Sequence, residues 1–72
     1  MEDEIRLCAV WLRYFARPSK HYAPRSCKEY AGRISTWAGE PVRSEALVQA
    51  ASQLGFEGKT EGSNRYLKMV VA

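Results

Sequence analysis

The sequence predicts an α+β fold, three helices followed by a C-terminal β-hairpin. Three observations predict it. Apolar residues recur at helical spacing in three separate stretches before Gly55. A proline or a glycine closes each stretch. After Gly55 the apolar period changes to two.

Residues 2–16 read as the first helix. Ile5, Cys8, Leu12 and Phe15 stand at i, i+3, i+7 and i+10, and Ala9 and Trp11 widen the stripe. Glu2, Asp3 and Glu4 sit where the helix dipole favours negative charge. Arg13 and Arg17 sit where it favours positive charge. Pro18 stops the helix. Residues 17–25 read as a loop, since Pro18 and Pro24 leave little room for regular structure.

Ser26-Cys27-Lys28-Glu29 reads as a capping box. The helix it opens runs from about 27 to 38, with Cys27, Tyr30, Ala31, Ile34 and Trp37 on its core stripe and Gly39 as a left-handed stop. After a short turn over 39–43, Ser44 reads as the cap of a third helix over about 45–54. Leu47, Ala50, Ala51 and Leu54 form its buried face. Phe56–Thr60 reads as a strand, Glu61-Gly62-Ser63-Asn64 as a turn, and Arg65–Val71 as a second strand. In that second strand Leu67, Met69 and Val71 share one face, and Tyr66, Lys68 and Val70 the other. Helix, helix, turn, helix, hairpin is the skeleton of a winged helix-turn-helix.

A chain of 72 residues forms one domain, residues 1–72, with a thin core. Its apolar fraction of 46% argues against disorder. No run approaches the ~20 apolar residues of a bilayer span, and no membrane partner is expected. The start of the chain is acidic and lacks the basic-then-apolar order of a secretory leader. A cytoplasmic location is expected.

Catalysis, cofactors and metals are not expected. Cys8 and Cys27 form no CxxC pair and read as reduced, packed thiols. His21, the one histidine, has no Cys or His partner near it for zinc and no carboxylate beside it for a triad. Cys27 stands near a helix start, where a thiol pKa can fall, but neither a base nor an oxyanion site is visible. Glu57 and Glu61 are isolated acids. No P-loop or GxGxxG is present.

Charge points to nucleic acid. The net charge is +3. Arg13, Arg17, Lys20, Arg25, Lys28 and Arg33 cluster with His21 and a single acid, Glu29. Lys59, Arg65 and Lys68 form a second set. Such clusters can neutralise phosphates, and a merely solvated positive face is equally open. In the helix-turn-helix frame the third helix enters the major groove of DNA. Its outward positions are Glu45, Val48, Gln49, Ser52 and Gln53, and glutamine pairs with adenine through two hydrogen bonds. Arg43, Ser44 and the free N–H groups of the helix start are placed to hold a phosphate. No Lys or Arg lies between Ser44 and Gly55 to read guanine. Backbone contacts are therefore expected from Lys20, Arg25, Arg43, Lys59, Arg65 and Lys68, with Gln49 and Gln53 facing the bases. Trp11, Tyr30 and Trp37 fall on core stripes. Tyr14 and Tyr22 are left, where exposed, either to stack single-stranded bases or to anchor a protein partner.

Three blocks carry a resemblance: Ser26–Tyr30, Gly39–Phe56 and Gly62–Leu67. They resemble a pattern in short proteins of bacteriophages and other mobile elements. That pattern has a Lys-containing helix, a Gly-aromatic/Pro-Val step, a small-residue helix ending in Leu-Gly-Phe/Tyr, and an Asn-x-Tyr/Phe strand. The family carries no assigned activity. The resemblance implies a phage or prophage origin, and so a DNA-binding regulator or a protein-binding inhibitor of a host defence complex, of the anti-CRISPR type. A small structural or assembly subunit is a third reading. Pairing into a homodimer would add core to so small a chain, although no heptad seam is present.

Overall fold

A computed structural model describes residues 2–71. Its elements are α1 (Glu2–Phe15), β1 (Ala16–Pro18), α2 (Cys27–Ala38), α3 (Ser44–Gln53), β2 (Gly58–Glu61), β3 (Asn64–Leu67) and β4 (Met69–Val71). The fold is α+β, with three helices and antiparallel strand pairing at the C-terminal end.

The helices follow their apolar stripes. Cys8, Trp11 and Leu12 of α1, Tyr30, Ala31 and Ile34 of α2, and Ala46, Leu47, Ala50 and Ala51 of α3 are buried, with Leu67 and Met69 closing the core. α1 packs chiefly on α3. The alanines of α3 permit that close approach, and Leu47 fills the space between. Two expected core positions differ. Trp37 is 45% exposed and sets its ring edge-on to Phe15, with centroids 6.1 Å apart. Leu54 is half-buried, and Ala46 takes its expected place on the fully buried face.

Both serine caps differ from expectation. Ser26 is the N-cap of α2 but makes no side-chain cap bond. It is buried, and its carbonyl receives the Glu29 and Tyr30 N–H groups. Ser44 is the first residue of α3, not its cap. Arg43 holds the extended cap position. The C-terminal stop of α2 is as read, with Gly39 at φ 73°.

A side-chain clip fixes the turn between α2 and α3. Val42 donates its N–H to Ser35 Oγ at 2.9 Å, and Ser35 Oγ donates to the Ala31 carbonyl at 2.8 Å. Val42 itself is buried.

The 17–25 segment is not all loop. Ala16–Pro18 form a strand that pairs antiparallel with β4, in the register Ala16↔Val71, Arg17↔Val70 and Pro18↔Met69. The expected second strand of the hairpin is accordingly split at Lys68. Before it, β3 pairs with β2; after it, β4 pairs with β1. Lys68 joins the two pairings through its backbone: its N–H donates to Glu57 O at 2.8 Å, and its O accepts from Ser19 N at 3.2 Å. The first hairpin strand starts at Gly58 rather than Phe56. The turn is the pair Gly62-Ser63, since Glu61 and Asn64 already face each other. Gly62 has φ 60° and, among the described residues, no non-glycine residue has positive φ, the φ pattern of a type II′ turn.

Candidate nucleic-acid interface

The expected contact residues fall on two regions, the start and outer face of α3 and the hairpin with its flanking loop, and the hairpin packs on α2. On α3, Glu45, Gln49, Ser52 and Gln53 are exposed. Val48, read as outward, is half-buried and packs against the core. The outer edge of α3 is therefore polar and carries no cation.

Arg43 stands at the start of α3 but is engaged elsewhere. Its Nε and Nη2 donate to Glu4 Oε1 and Oε2 at 3.2 and 2.9 Å, and its backbone N–H donates to Oε1 at 2.9 Å. These hydrogen bonds from Arg43 hold the Glu4 carboxyl down at about 2, against an ordinary 4.5. A phosphate at this end of α3 must compete with Glu4. Ser44 Oγ is likewise turned to Glu45, at 3.3 Å.

The hairpin lysines gather on one tyrosine. Lys59 Nζ and Lys68 Nζ lie 4.5 and 5.3 Å from the Tyr22 ring centroid. Each also pairs with an acid, Lys59 with Glu61 at 3.2 Å and Lys68 with Glu57 at 3.1 Å. The Glu57 hydrogen bond pushes the Lys68 pKa up. Lys20 reaches the same flank: it lines a cleft of about 350 Å³ with Lys68, Glu57 and Phe56. Arg65 does not project from the hairpin. Its guanidinium lies back over Gly58, with Nη1 on Thr60 Oγ1 at 3.2 Å and Nε buried with no partner among the described residues. Arg25 pairs with Glu29 at 3.6 Å, one turn apart.

Other cations have no carboxylate partner among the described residues. These are Arg6, Arg13, Arg17, Lys20, Lys28 and Arg33. Arg6 was not singled out by the charge clusters, because it stands among the acids that open α1. It shares α1's solvent face with Val10, Arg13 and Tyr14. Tyr14 is 78% exposed there, whereas Tyr22 is only partly exposed under its two lysines.

The thiols are not activated. Cys8 and Cys27 are both free and buried, and burial pushes each to about 11. Cys27 is not lowered by its place at a helix start, because desolvation outweighs the one lowering influence on it, the charge of Arg65. Among the described residues no group of three His, Cys, Asp or Glu could hold a metal ion, and no helix is long and apolar enough to cross a membrane. Compared with protein-family models, curated proteins and solved structures, the chain matches none.

Proposed function

We propose that this is a non-catalytic nucleic-acid-binding protein of winged helix-turn-helix type, with duplex DNA as its ligand. The observation that carries the reading is the strand order around the helix pair. β1 follows α1, α2 and α3 are joined by a clipped turn, and β4, the strand that follows the hairpin, returns to β1. That arrangement supports α3 as the groove helix and the hairpin as a wing beside it.

In this reading Gln49, Ser52 and Gln53 face base edges, and Lys20, Lys59 and Lys68 hold the backbone. The lysines' ion pairs do not prevent this. Exposed pairs of this kind contribute only about 0–1 kcal/mol, so exchanging a carboxylate for a phosphate costs little. Three such contacts give a shallow salt slope of about −3 in log–log form. Anisotropy of labelled duplex and single-stranded oligonucleotides, at low and near-physiological salt, tests the reading. Affinity for duplex that falls log-linearly with salt is the expected result. No binding at low salt would remove it.

A second reading rests on Tyr14. A tyrosine this exposed, between two arginines with no acid partner among the described residues, has the composition of an interface anchor. It favours a phage-encoded inhibitor that binds a host protein complex. Such a complex would be insensitive to Lys59 and Lys68 and sensitive to Tyr14→Ala.

A further inference from the structure

A groove of about 470 Å³ lies on the side of the molecule where the 19–25 loop meets α2 and β4. It has the size of a small-ligand site, about 300–1,000 Å³. His21, Tyr22 and Arg25 line it from the loop, Tyr30 and Arg33 from α2, and Val70 from β4. Three features make it more than a surface dent.

First, two guanidinium groups and one phenol line the same groove: Arg25, Arg33 and Tyr30. Burial raises the Tyr30 pKa, the charges of Arg33 and Arg25 act against that rise, and the Glu29 carboxylate adds to it. Second, that hydroxyl is unspent. Tyr30 is 5% exposed, with its ring against Trp11, and among the described residues nothing hydrogen-bonds its oxygen. Third, the cations are available. Arg33 has no acid partner among the described residues, and the Arg25–Glu29 pair is long, 3.6 Å, with both side chains about half exposed.

Two planar forks of N–H donors and a phenol hydroxyl match the oxygens of a phosphate. Val70, 59% exposed, and the open part of the Tyr22 ring stand beside them as apolar surface. Such surface suits the face of a base. We propose that this groove binds one nucleotide unit, its phosphate on Arg25, Arg33 and the Tyr30 hydroxyl and its base against Tyr22 and Val70. The site is separate from the outer edge of α3, and it meets the proposed duplex contacts only at Tyr22, whose ring lies under Lys59 and Lys68.

Titrating the full ¹⁵N-labelled chain with AMP, adenosine, inorganic phosphate and a short oligothymidylate tests it. AMP is expected to give saturable shifts at the amides of Tyr22, Arg25, Arg33 and Val70. Adenosine and phosphate alone are each expected to bind at least about tenfold more weakly. Arg33→Gln removes a charge-assisted bond at an exposed position and is expected to weaken AMP about tenfold. Tyr30→Phe keeps the ring contact with Trp11 and is expected to weaken it less. The oligonucleotide binding more tightly than AMP identifies a strand as the source of the nucleotide, and equal affinity identifies a free nucleotide. Phosphate binding as tightly as AMP, an unaltered Arg33→Gln titration, or no saturable shift at these four amides overturns the proposal. A chain that binds AMP but not duplex would sink the helix-turn-helix reading and leave this one standing.

Discussion

The residue that ties the α2–α3 turn to α1 is Glu4. It opens α1, where a negative charge is favoured, and it also accepts the backbone and side-chain bonds of Arg43. Its folded pKa of about 2 lies below the ordinary 4.5. A group shifted in that direction stabilises the fold fully above pH 4.5 and loses the contribution as pH falls toward 2. Thermal melts followed by circular dichroism should therefore show a midpoint that drops across that window. Glu4→Gln should lower the midpoint at pH 7 and flatten the drop. A wild-type midpoint that holds steady from pH 5 to 2.5 would refute the coupling. The sequence makes only half of this legible. The acids of the first turn are visible as a dipole device, but a partner 39 residues away is a product of tertiary packing. The same limit hid the fates of Lys59, Lys68 and Arg65. Charge clusters show where cations are, and not which acids they meet.

At the scale of elements, the turn between α2 and α3 and the hairpin each depend on one small residue. Ser35→Ala removes the acceptor of the Val42 N–H, which lies under the turn. The unsatisfied donor should cost about 1–3 kcal/mol, read as a lower denaturant midpoint at unchanged m-value. In the hairpin, a Cβ on Gly58 would lie 2.9 Å from the Tyr66 carbonyl and 3.0 Å from Arg65 Nε. Backbone cannot yield there as a flexible side chain would. Gly58→Ala is expected to cost about 1–3 kcal/mol by overpacking, and an unchanged melt would show that the strands shift freely. Helix positions were readable because three stretches keep a helical period and end at Pro18, Gly39 and Gly55. β1 was not readable. It is three residues long, contains a proline, and exists only because β4 arrives beside it from the other end of the chain. Lys68 was likewise read through as strand. The alternation of Leu67, Lys68 and Met69 survives the change of partner, so the period carries no trace of it.

For the whole molecule, the distribution of paired and unpaired cations decides which face a polyanion takes. Paired lysines lie over Tyr22 on the hairpin flank, whereas among the described residues Arg6 and Arg13 on α1 have no acid partner. These arginines lie on the exposed face of α1, and Gln49 and Gln53 on the exposed face of α3, a different helix. Long-range attraction depends on all of them together, but released counterions report only the cations that touch phosphate. The two faces therefore separate in a salt titration of duplex binding. Contact through the hairpin means that Lys59→Ala with Lys68→Ala flattens the slope by about 2, while Arg6→Gln with Arg13→Gln leaves it unchanged. The reverse pattern would put the duplex on α1 and leave α3 facing solvent. In that case Gln49→Ala and Gln53→Ala should not alter sequence preference, whereas a duplex seated on α3 should lose about 1–3 kcal/mol of discrimination at an adenine they read. Slope and preference measure different residues, so agreement between them fixes the orientation of the chain on its ligand.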